Sequence, residues 1–293
     1  MRRFLQVAAL LSLPIAIRAA DPVTAEILKW RGDHDRDVLA ADGPFTLVAR
    51  LTARQGLSSI GRDASNDLVV PVSTAPPRVG TIEWRGGDRA TFHVARGVTA
   101  LVEGKPVSEV VISKPVDIRI GDLSFRAGTR NGALRVSIQD PNSAMRRSAK
   151  PPVWFSVDLR YRVTAAWTAF AQPKMVRIPD TDGGSREWNS PGYASFMLDG
   201  QRIRLQAVLT PDGKELSFFF RDGTAGHETY GAGRFLEADL PKDGKVLMDF
   251  NEAYNPFCNY NPLYICPIPP AENHTITRIP AGERNYPHPG EEH

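Results

Sequence analysis

Two polar stretches near the C-terminal end of the chain hold residue types that could bind a ligand. They read RDGTAGHETYGAGRF, residues 221–235, and DFNEAYN, residues 249–255. Arginines pair with carboxylate or phosphate groups, asparagines both donate and accept hydrogen bonds, aromatic rings wall a pocket, and glycines let a backbone approach a ligand closely. We therefore predict a pocket for a small polar or anionic ligand. Its predicted residues are Arg221, Tyr230, Arg234, Asp249, Asn251, Tyr254 and Asn255.

The same residues also fit a purely structural role. Asp222 before a glycine is a turn former, and Arg234 could pair with Asp249 across neighbouring strands. Asn251 and Asn255 could satisfy backbone groups in a segment that has few ladder hydrogen bonds. The sequence leaves both interpretations open.

An enzyme in this pocket would use His227 or Asp222 as its general acid or base. The chain contains neither G-x-S-x-G nor H-E-x-x-H, since TYG follows His227 and Glu228. The segment GAGRFL lacks the third glycine of a dinucleotide-binding loop. We predict no cofactor, and whether the protein is an enzyme stays open.

Cys258 and Cys266 are the only cysteines, and both lie in the proline-rich segment that follows residue 250. In an oxidising compartment they would form a disulfide, and closing so short a loop stabilises a fold by about 2.5 kcal/mol in the chain-entropy model. A metal site would need two more ligands, for which His227 and His274 are candidates, and the cysteine spacing matches no usual zinc pattern. We predict a disulfide and no metal, with a free thiol pair as the alternative.

The N-terminus, MRRFLQVAALLSLPIAIRAADP, has the layout of a secretory signal peptide. Two arginines precede an apolar run that is shorter than the about 20 residues of a membrane-spanning helix, and small residues follow. We predict cleavage after Ala19 and a periplasmic or secreted protein without a membrane span, a retained N-terminal anchor being the alternative. The 36 basic and 33 acidic residues are mixed along the chain, which argues against a nucleic-acid partner.

The apolar pattern predicts a mostly β protein. Asp21 and Pro22 are typical of a helix start, and Ile27, Trp30 and Val38 follow at helical spacing. From residue 45 onward, short alternating runs are separated by turn residues, which is typical of a sandwich or barrel. We predict a leader (1–19), an N-terminal helix (20–44), a first β domain (45–140), a connection (141–155), and a second β domain (156–293) that ends in an irregular proline-rich segment, here named the clasp.

The stretch SSIGRDASNDLVV, residues 58–70, resembles the opening of a forkhead-associated domain. That resemblance implies a β-sandwich for the first β domain, and it places Arg62 at the position of the arginine that contacts phosphothreonine in that family. The family's following serine and histidine are replaced here by STAPPRVGTI. Phosphothreonine binding is therefore not expected.

A longer set of motifs resembles the bacterial family catalogued as domain of unknown function 1684. These motifs are GRDASNDLVVP, APPRVGTI, FFFRDGTAGHETYGAGRFLEADL and VLMDFNEAYNPFCNYNPLYICPIPPAENHTITRIPAGE. The resemblance implies one co-inherited unit over about residues 25–283, without an established activity.

Three hypotheses for the function follow. The first is an exported protein that binds a small polar or anionic ligand between the second β domain and the clasp. The second is a hydrolase-type enzyme that uses the same pocket. The third is an envelope protein that binds a protein partner through its forkhead-associated-like half.

Overall fold

The computed structural model describes residues 21–288, so the predicted leader lies outside the described residues. The chain is mostly β, as predicted, with three sheets and few helices. Helix α1 spans Pro22–Val38 and begins where the sequence indicated, with the Asp21 carboxylate capping the Val23 amide (3.4 Å). Within residues 21–288, no helix is long and apolar enough to cross a membrane.

The first β domain is a sandwich of two sheets around one apolar core. One sheet has the order β1-β11-β10-β9-β6-β7, and the other has the order β3-β2-β4-β5-β8. The strands are β1 Leu47–Ala53, β2 Gly56–Gly61, β3 Leu68–Val69, β4 Gly80–Trp84, β5 Ala90–Val94, β6 Ala100–Val102, β7 Lys105–Val107, β8 Glu109–Ile112, β9 Val116–Ile120, β10 Leu123–Arg130 and β11 Ala133–Gln139. In the predicted connection, residues Ala144–Ser148 form a short helix, α2, that Ser143 caps.

The second β domain is one sheet curled into a nearly closed barrel. Its order is β16-β15-β14-β13-β12-β17, and the two edge strands, β16 and β17, lie against each other. The strands are β12 Arg162–Pro179, β13 Ser185–Leu198, β14 Gln201–Leu209, β15 Glu215–Phe220, β16 Arg234–Asp239 and β17 Lys245–Asp249. Alternate residues fill the interior, among them Phe196, Leu205 and Phe218, so the intervening residues face outward.

One strand of the second domain is longer than the short runs indicated by the sequence. The runs RVTAAWTAF and KMVRIP, separated by AQP, form the single 18-residue strand β12. Its pairing with β13 is interrupted between Ala169 and Lys174, where Pro173 lies. A bulge can hold the proline without ending the strand because its missing amide then costs no ladder bond. Near Ile276 the clasp forms no strand within the described residues and stays irregular.

The clasp runs back over the barrel and reaches both the sandwich and α1. Its short helix α3 spans Phe257–Tyr260. The Asn261 side chain donates to the carbonyls of Pro44 and Leu47 (3.0 and 2.8 Å) at the start of the sandwich. From α1, Arg31 donates to the carbonyl of Asn251 (2.9 and 2.8 Å). These contacts fix α1 against the barrel.

Candidate functional site

Arg234 lies inside the contact between the barrel and the clasp. Its side chain is fully buried, and it donates to the carbonyls of Ala281, Glu283 (3.2 Å) and Ile279 (2.9 Å). It also pairs with Asp222 at 3.2 Å, so the suggested pairing with Asp249 was wrong. A guanidinium with these partners holds the clasp in place and presents no face to a ligand.

Asp222 is engaged in the same contact. Its carboxylate accepts from the Thr224 hydroxyl (2.9 and 2.8 Å) and from the Ile279 amide (2.7 Å), besides Arg234. His227, the other residue predicted for acid–base chemistry, is exposed, and its ring makes no hydrogen bond with any residue of 21–288. The structure therefore does not bring His227 and Asp222 together as a dyad.

The predicted asparagines also satisfy the irregular backbone. The Asn251 amide donates to the Asp158 carbonyl (3.0 Å) and to the Asp249 carboxylate (2.8 Å). The Asn255 amide donates to the Arg284 carbonyl (2.7 Å). Both residues are fully buried, so their contacts are those of the structural interpretation.

The side chains of Arg221 and Tyr230 form no hydrogen bond with the other predicted residues. Arg221 is exposed and donates to the Gly231 carbonyl (3.0 Å). The Tyr230 hydroxyl points to the sulfur of Cys258 at 3.7 Å. The backbone amide of Cys258 donates to the sulfur of Cys266 (3.3 Å), and both thiols are unpaired. The hydrogen bond from Cys266 lowers the pKa of Cys258, and the same contact raises the pKa of Cys266.

A cavity of about 230 Å³ lies between the barrel and the clasp, where the sequence placed the ligand. Its walls are about half apolar, as at Val208 and Phe219, and half polar or charged, as at Arg177 and Glu272. Asn273 lies in its wall, but its side chain already forms hydrogen bonds with the backbone of Gln206 and Phe219 in the barrel. None of the residues predicted to bind the ligand lines this cavity.

A larger cleft of about 390 Å³ opens where α1, the barrel edge and the start of the clasp meet. We name it the acidic cleft. Its walls carry six carboxylates and one arginine: Glu26, Glu215, Glu237, Asp239, Asp249, Glu252 and Arg162. Trp30 of α1 forms an aromatic part of the wall. Of the predicted ligand residues, Asp249 lines this cleft.

The one arginine is already neutralised by one of these carboxylates. Arg162 donates to Asp249 at 2.7 Å, and Asp249 also accepts from the Asn251 amide (3.0 Å). The other five carboxylates share no basic side chain of the cleft wall. A concave site with this balance carries a strong negative potential.

Two of the carboxyls have pKa values raised by their surroundings. Burial raises the pKa of Glu252 to about 7, and the neighbouring Asp249 charge adds to the rise. Burial also raises the pKa of Glu237, although its side chain opens to the cleft and the Tyr254 hydroxyl donates to it (2.6 Å). Burial therefore disfavours the ionised form of both carboxyls. Raised pKa values of this kind are typical of groups at functional sites.

Tyr254 connects the cleft to a cluster of aromatic rings. Its ring lies 6.2 Å from Trp30 and 5.2 Å from His34. His34 stacks on Trp30 at 5.3 Å, and its Nε2 lies 3.7 Å from the buried carboxylate of Glu283. These contacts fix the ring of Trp30 and the phenol of Tyr254 at the cleft.

Most of the cleft could not be predicted from the sequence. Its carboxylates come from α1, β15, β16, the end of β17 and the turn after it, and the first and last of them, Glu26 and Glu252, are 226 residues apart in the chain. In RFLEAD, Glu237 and Asp239 alternate with the buried Leu236 and Ala238, which indicates outward-facing acids on a strand. That signal gives the direction of the side chains but not what they face.

No three or more His, Cys, Asp or Glu side chains within residues 21–288 are grouped so that they could hold a metal ion.

Comparison with known proteins gives one family and several solved structures. The model of a family described as a protein of unknown function, DUF1684, matches residues 153–284. No curated protein matches the chain. The family match covers the second domain and most of the clasp, a shorter range than the residues 25–283 that the motifs implied.

Three solved structures are similar to parts of the chain. An uncharacterized protein of Haloarcula marismortui is 32% identical, with 50% of this chain and 83% of that chain covered and a TM-score of 0.42. The FHA domain of FhaA, solved with the intracellular domain of Rv3910, is 20% identical, with coverage of 31% and 94% and a TM-score of 0.24. An FHA domain from work on phosphothreonine-dependent interactions is 19% identical, with coverage of 32% and 96% and a TM-score of 0.23. All three TM-scores lie below 0.5, so none of these likenesses assigns a ligand to this chain.

Proposed function

The chain belongs, through residues 153–284, to the DUF1684 family of proteins of unknown function, and we propose that it is a binding protein for a small organic cation. The ligand would occupy the acidic cleft between α1, the barrel edge and the start of the clasp. The observation that carries the proposal is the convergence of six carboxylates on one cleft whose single arginine is already paired.

The carboxylates of the cleft determine the sign of the charge that the ligand should carry. Two unit charges 4 Å apart interact by about 1 kcal/mol in water and about 4 kcal/mol near a protein surface. A cation in the cleft meets several carboxylates, whereas an anion would meet the same carboxylates and one arginine that Asp249 already neutralises. The prediction of a polar ligand is therefore kept, and the proposed charge is positive rather than negative.

Trp30 supplies the second kind of contact. An aromatic face attracts an ammonium or guanidinium group by about 0.5–1 kcal/mol at exposed sites. Since the ring of Trp30 is stacked against His34, it is held in one orientation before a ligand arrives. A ligand with an amine and a short apolar body would use both the ring and the carboxylates.

Thermal unfolding with a set of probe compounds tests this function. Putrescine, spermidine and tetramethylammonium are the cationic probes, and citrate and phosphate are the anionic ones. At a free concentration of 100 times its Kd, a ligand stabilises the fold by about 2.7 kcal/mol. For a chain of this size, that stabilisation raises Tm by a few degrees. We expect this rise with at least one cation and with neither anion.

Two variants locate the effect in the cleft. Glu237→Gln removes one cleft carboxylate, and Glu109→Gln removes an exposed carboxylate from β8 of the sandwich. The first change should abolish or clearly weaken the cation-induced rise, and the second should leave it intact. A larger rise with citrate or phosphate than with every cation would overturn the proposal.

One observation favours an enzyme as the second candidate. Glu252, with its pKa raised to about 7, lies beside Asp249, which accepts hydrogen bonds from Arg162 and Asn251. Two neighbouring carboxyls in different surroundings can serve as general acid and general base. A hydrolase of this kind predicts that Glu252→Gln abolishes turnover of a bound substrate while its binding persists, and unchanged turnover would exclude Glu252 as the acid.

We also propose that the protein is exported and that Cys258 and Cys266 then form a disulfide. The contact between the Cys258 amide and the Cys266 sulfur supports this pairing. The intact mass of protein from an oxidising compartment should rise by two hydrogens on reduction. An unchanged mass would show a free thiol pair.

A further inference from the structure

Part of the outer face of the barrel carries the opposite charge, and it borders the acidic cleft at β17, where Lys245 lies two residues before Leu247 of the cleft wall. Lys174 lies on β12, Arg202 and Arg204 lie on β14, and Lys245 lies on β17, and all four side chains are exposed. None of the four forms an ion pair within residues 21–288. We name these four residues, together with Phe170, Tyr193 and Met197, the basic face.

Strand register places the basic face on one side of the sheet. Arg204 pairs with Ser195, Ser195 with Ala166, and Ala166 with Lys245, so these four residues form one row across four strands. Neighbouring strands lie about 4.8 Å apart, so the row is about 14 Å long. Arg202, which pairs with Met197, lies in the next row. The residues between them, such as Ala165 and Ile203, are buried in the barrel core.

Aromatic and apolar side chains lie between the charges. The guanidinium of Arg204 stacks 4.0 Å from the ring of Tyr193, and the ammonium of Lys174 lies 4.3 Å from the ring of Phe170. The two rings are 6.1 Å apart, so the four side chains form one connected group. Met197 is 60% exposed beside it.

We propose that the basic face binds the surface of an anionic membrane. Arginine and lysine match lipid phosphates, while tyrosine, phenylalanine and methionine suit the boundary between head groups and acyl chains. The face is a broad sheet surface, which can lie against a planar array of phosphates. A single-stranded nucleic acid would need open aromatic faces for base stacking, and here cations already cover one face of each ring.

Co-sedimentation with lipid vesicles tests this inference. The protein would comprise residues 20–293, so that the apolar leader cannot insert into the bilayer. We expect binding to vesicles that contain about one-third phosphatidylglycerol, no binding to pure phosphatidylcholine, and release by 0.5 M NaCl because salt screens exposed charges.

A charge-reversal variant and a matched control locate the surface. Arg202→Glu with Arg204→Glu should weaken vesicle binding by at least about tenfold, since each basic residue near an anionic surface contributes about fivefold to affinity. Lys114→Glu with Arg119→Glu makes the same charge change on exposed residues of the sandwich and should leave binding nearly unchanged. Should the first variant unfold, Lys245→Glu alone should weaken binding by about fivefold.

Three results would overturn the inference. One is no binding of the wild-type chain to anionic vesicles at 0.1 M salt. Another is equal loss of binding in the control and in the basic-face variant. The third comes from competition. If single-stranded DNA releases the protein from vesicles at a lower concentration of negative charge than added phosphatidylglycerol does, the face would be assigned to nucleic acid.

Discussion

Arg234 illustrates how far residue types can be interpreted before a structure is known. The sequence indicates a residue that can pair with anions, and the structure shows it pairing with Asp222 and with three carbonyls of the clasp. Its role depends on which side of β16 it occupies and on the clasp laid over that side. Neither is encoded near residue 234, so the sequence left the ligand and structural interpretations open.

Arg234→Ala should destabilise the fold strongly. The change leaves the buried carboxylate of Asp222 and several carbonyls without their partner, and breaking a buried ion pair in this way costs about 3–5 kcal/mol. Urea unfolding measures the change, with Arg221→Ala as an exposed control that should stay within about 0.5 kcal/mol of wild type. A cost below 1 kcal/mol for Arg234→Ala would show that the clasp does not depend on this residue.

At the scale of elements, the positions of helices and strands were largely predictable and their lengths were not. Asp21 and Pro22 started α1 as expected. The turn between β13 and β14 consists of Asp199 and Gly200, both with positive φ, and an Asp-Gly pair between apolar runs is typical of such a hairpin turn. The length of β12 was missed because Pro173 is normally a strand breaker, and here it sits at a bulge. The irregular clasp was expected, because prolines and asparagines dominate it.

The clasp holds to the barrel through asparagine side chains in place of a strand ladder. Asn273 accepts from the Gln206 amide (2.7 Å) and donates to the carbonyls of Gln206 (2.9 Å) and Phe219 (2.8 Å). It thereby mimics a backbone partner at the outer face of the barrel. One side chain replaces about three ladder bonds.

Asn273→Ala should therefore release this part of the clasp. Three buried backbone groups would lose their partner, at a cost of about 3 kcal/mol in total. Hydrogen exchange at the Gln206 amide should accelerate, while Asn189→Ala, an exposed change on β13, should leave that amide protected. Equal protection of Gln206 in both variants would show that the clasp is held by its other contacts.

At the scale of the whole molecule, the acidic cleft exists only because distant elements meet. α1 brings Trp30 and Glu26, the barrel brings Glu215 and Glu237, and the clasp brings Glu252. Arg31, buried on α1, ties the helix to the clasp through the Asn251 carbonyl. A sequence shows these residues singly, and each alone resembles an ordinary surface acid, so the cleft could not be predicted without the fold.

The same organisation separates charge over the barrel surface. The cleft is lined by acids of β15 and β16 and by the Arg162–Asp249 pair at one end of β12 and β17. The basic face occupies the rest of β12, the start of β17, and parts of β13 and β14. The net charge of +3 hides this separation because the two signs nearly cancel in the total. Charge sorting of this kind arises from strand order, which places residues of like charge side by side.

A calorimetric titration of putrescine into residues 20–293, at pH 8.0 and at pH 5.5, tests the cation-binding cleft most directly. The two primary amines of putrescine stay protonated over this range, whereas the Glu252 carboxyl, with its pKa of about 7, is ionised at pH 8.0 and protonated at pH 5.5. Loss of one charge contact of about 1 kcal/mol weakens binding by about fivefold, so affinity should fall by at least this factor at the lower pH. In the Glu252→Gln variant, residue 252 has no carboxyl to titrate, so the affinities at the two pH values should differ less than they do in the wild type. Equal wild-type affinity at both pH values, or heat of binding from citrate and none from putrescine, would contradict a cation site in the acidic cleft.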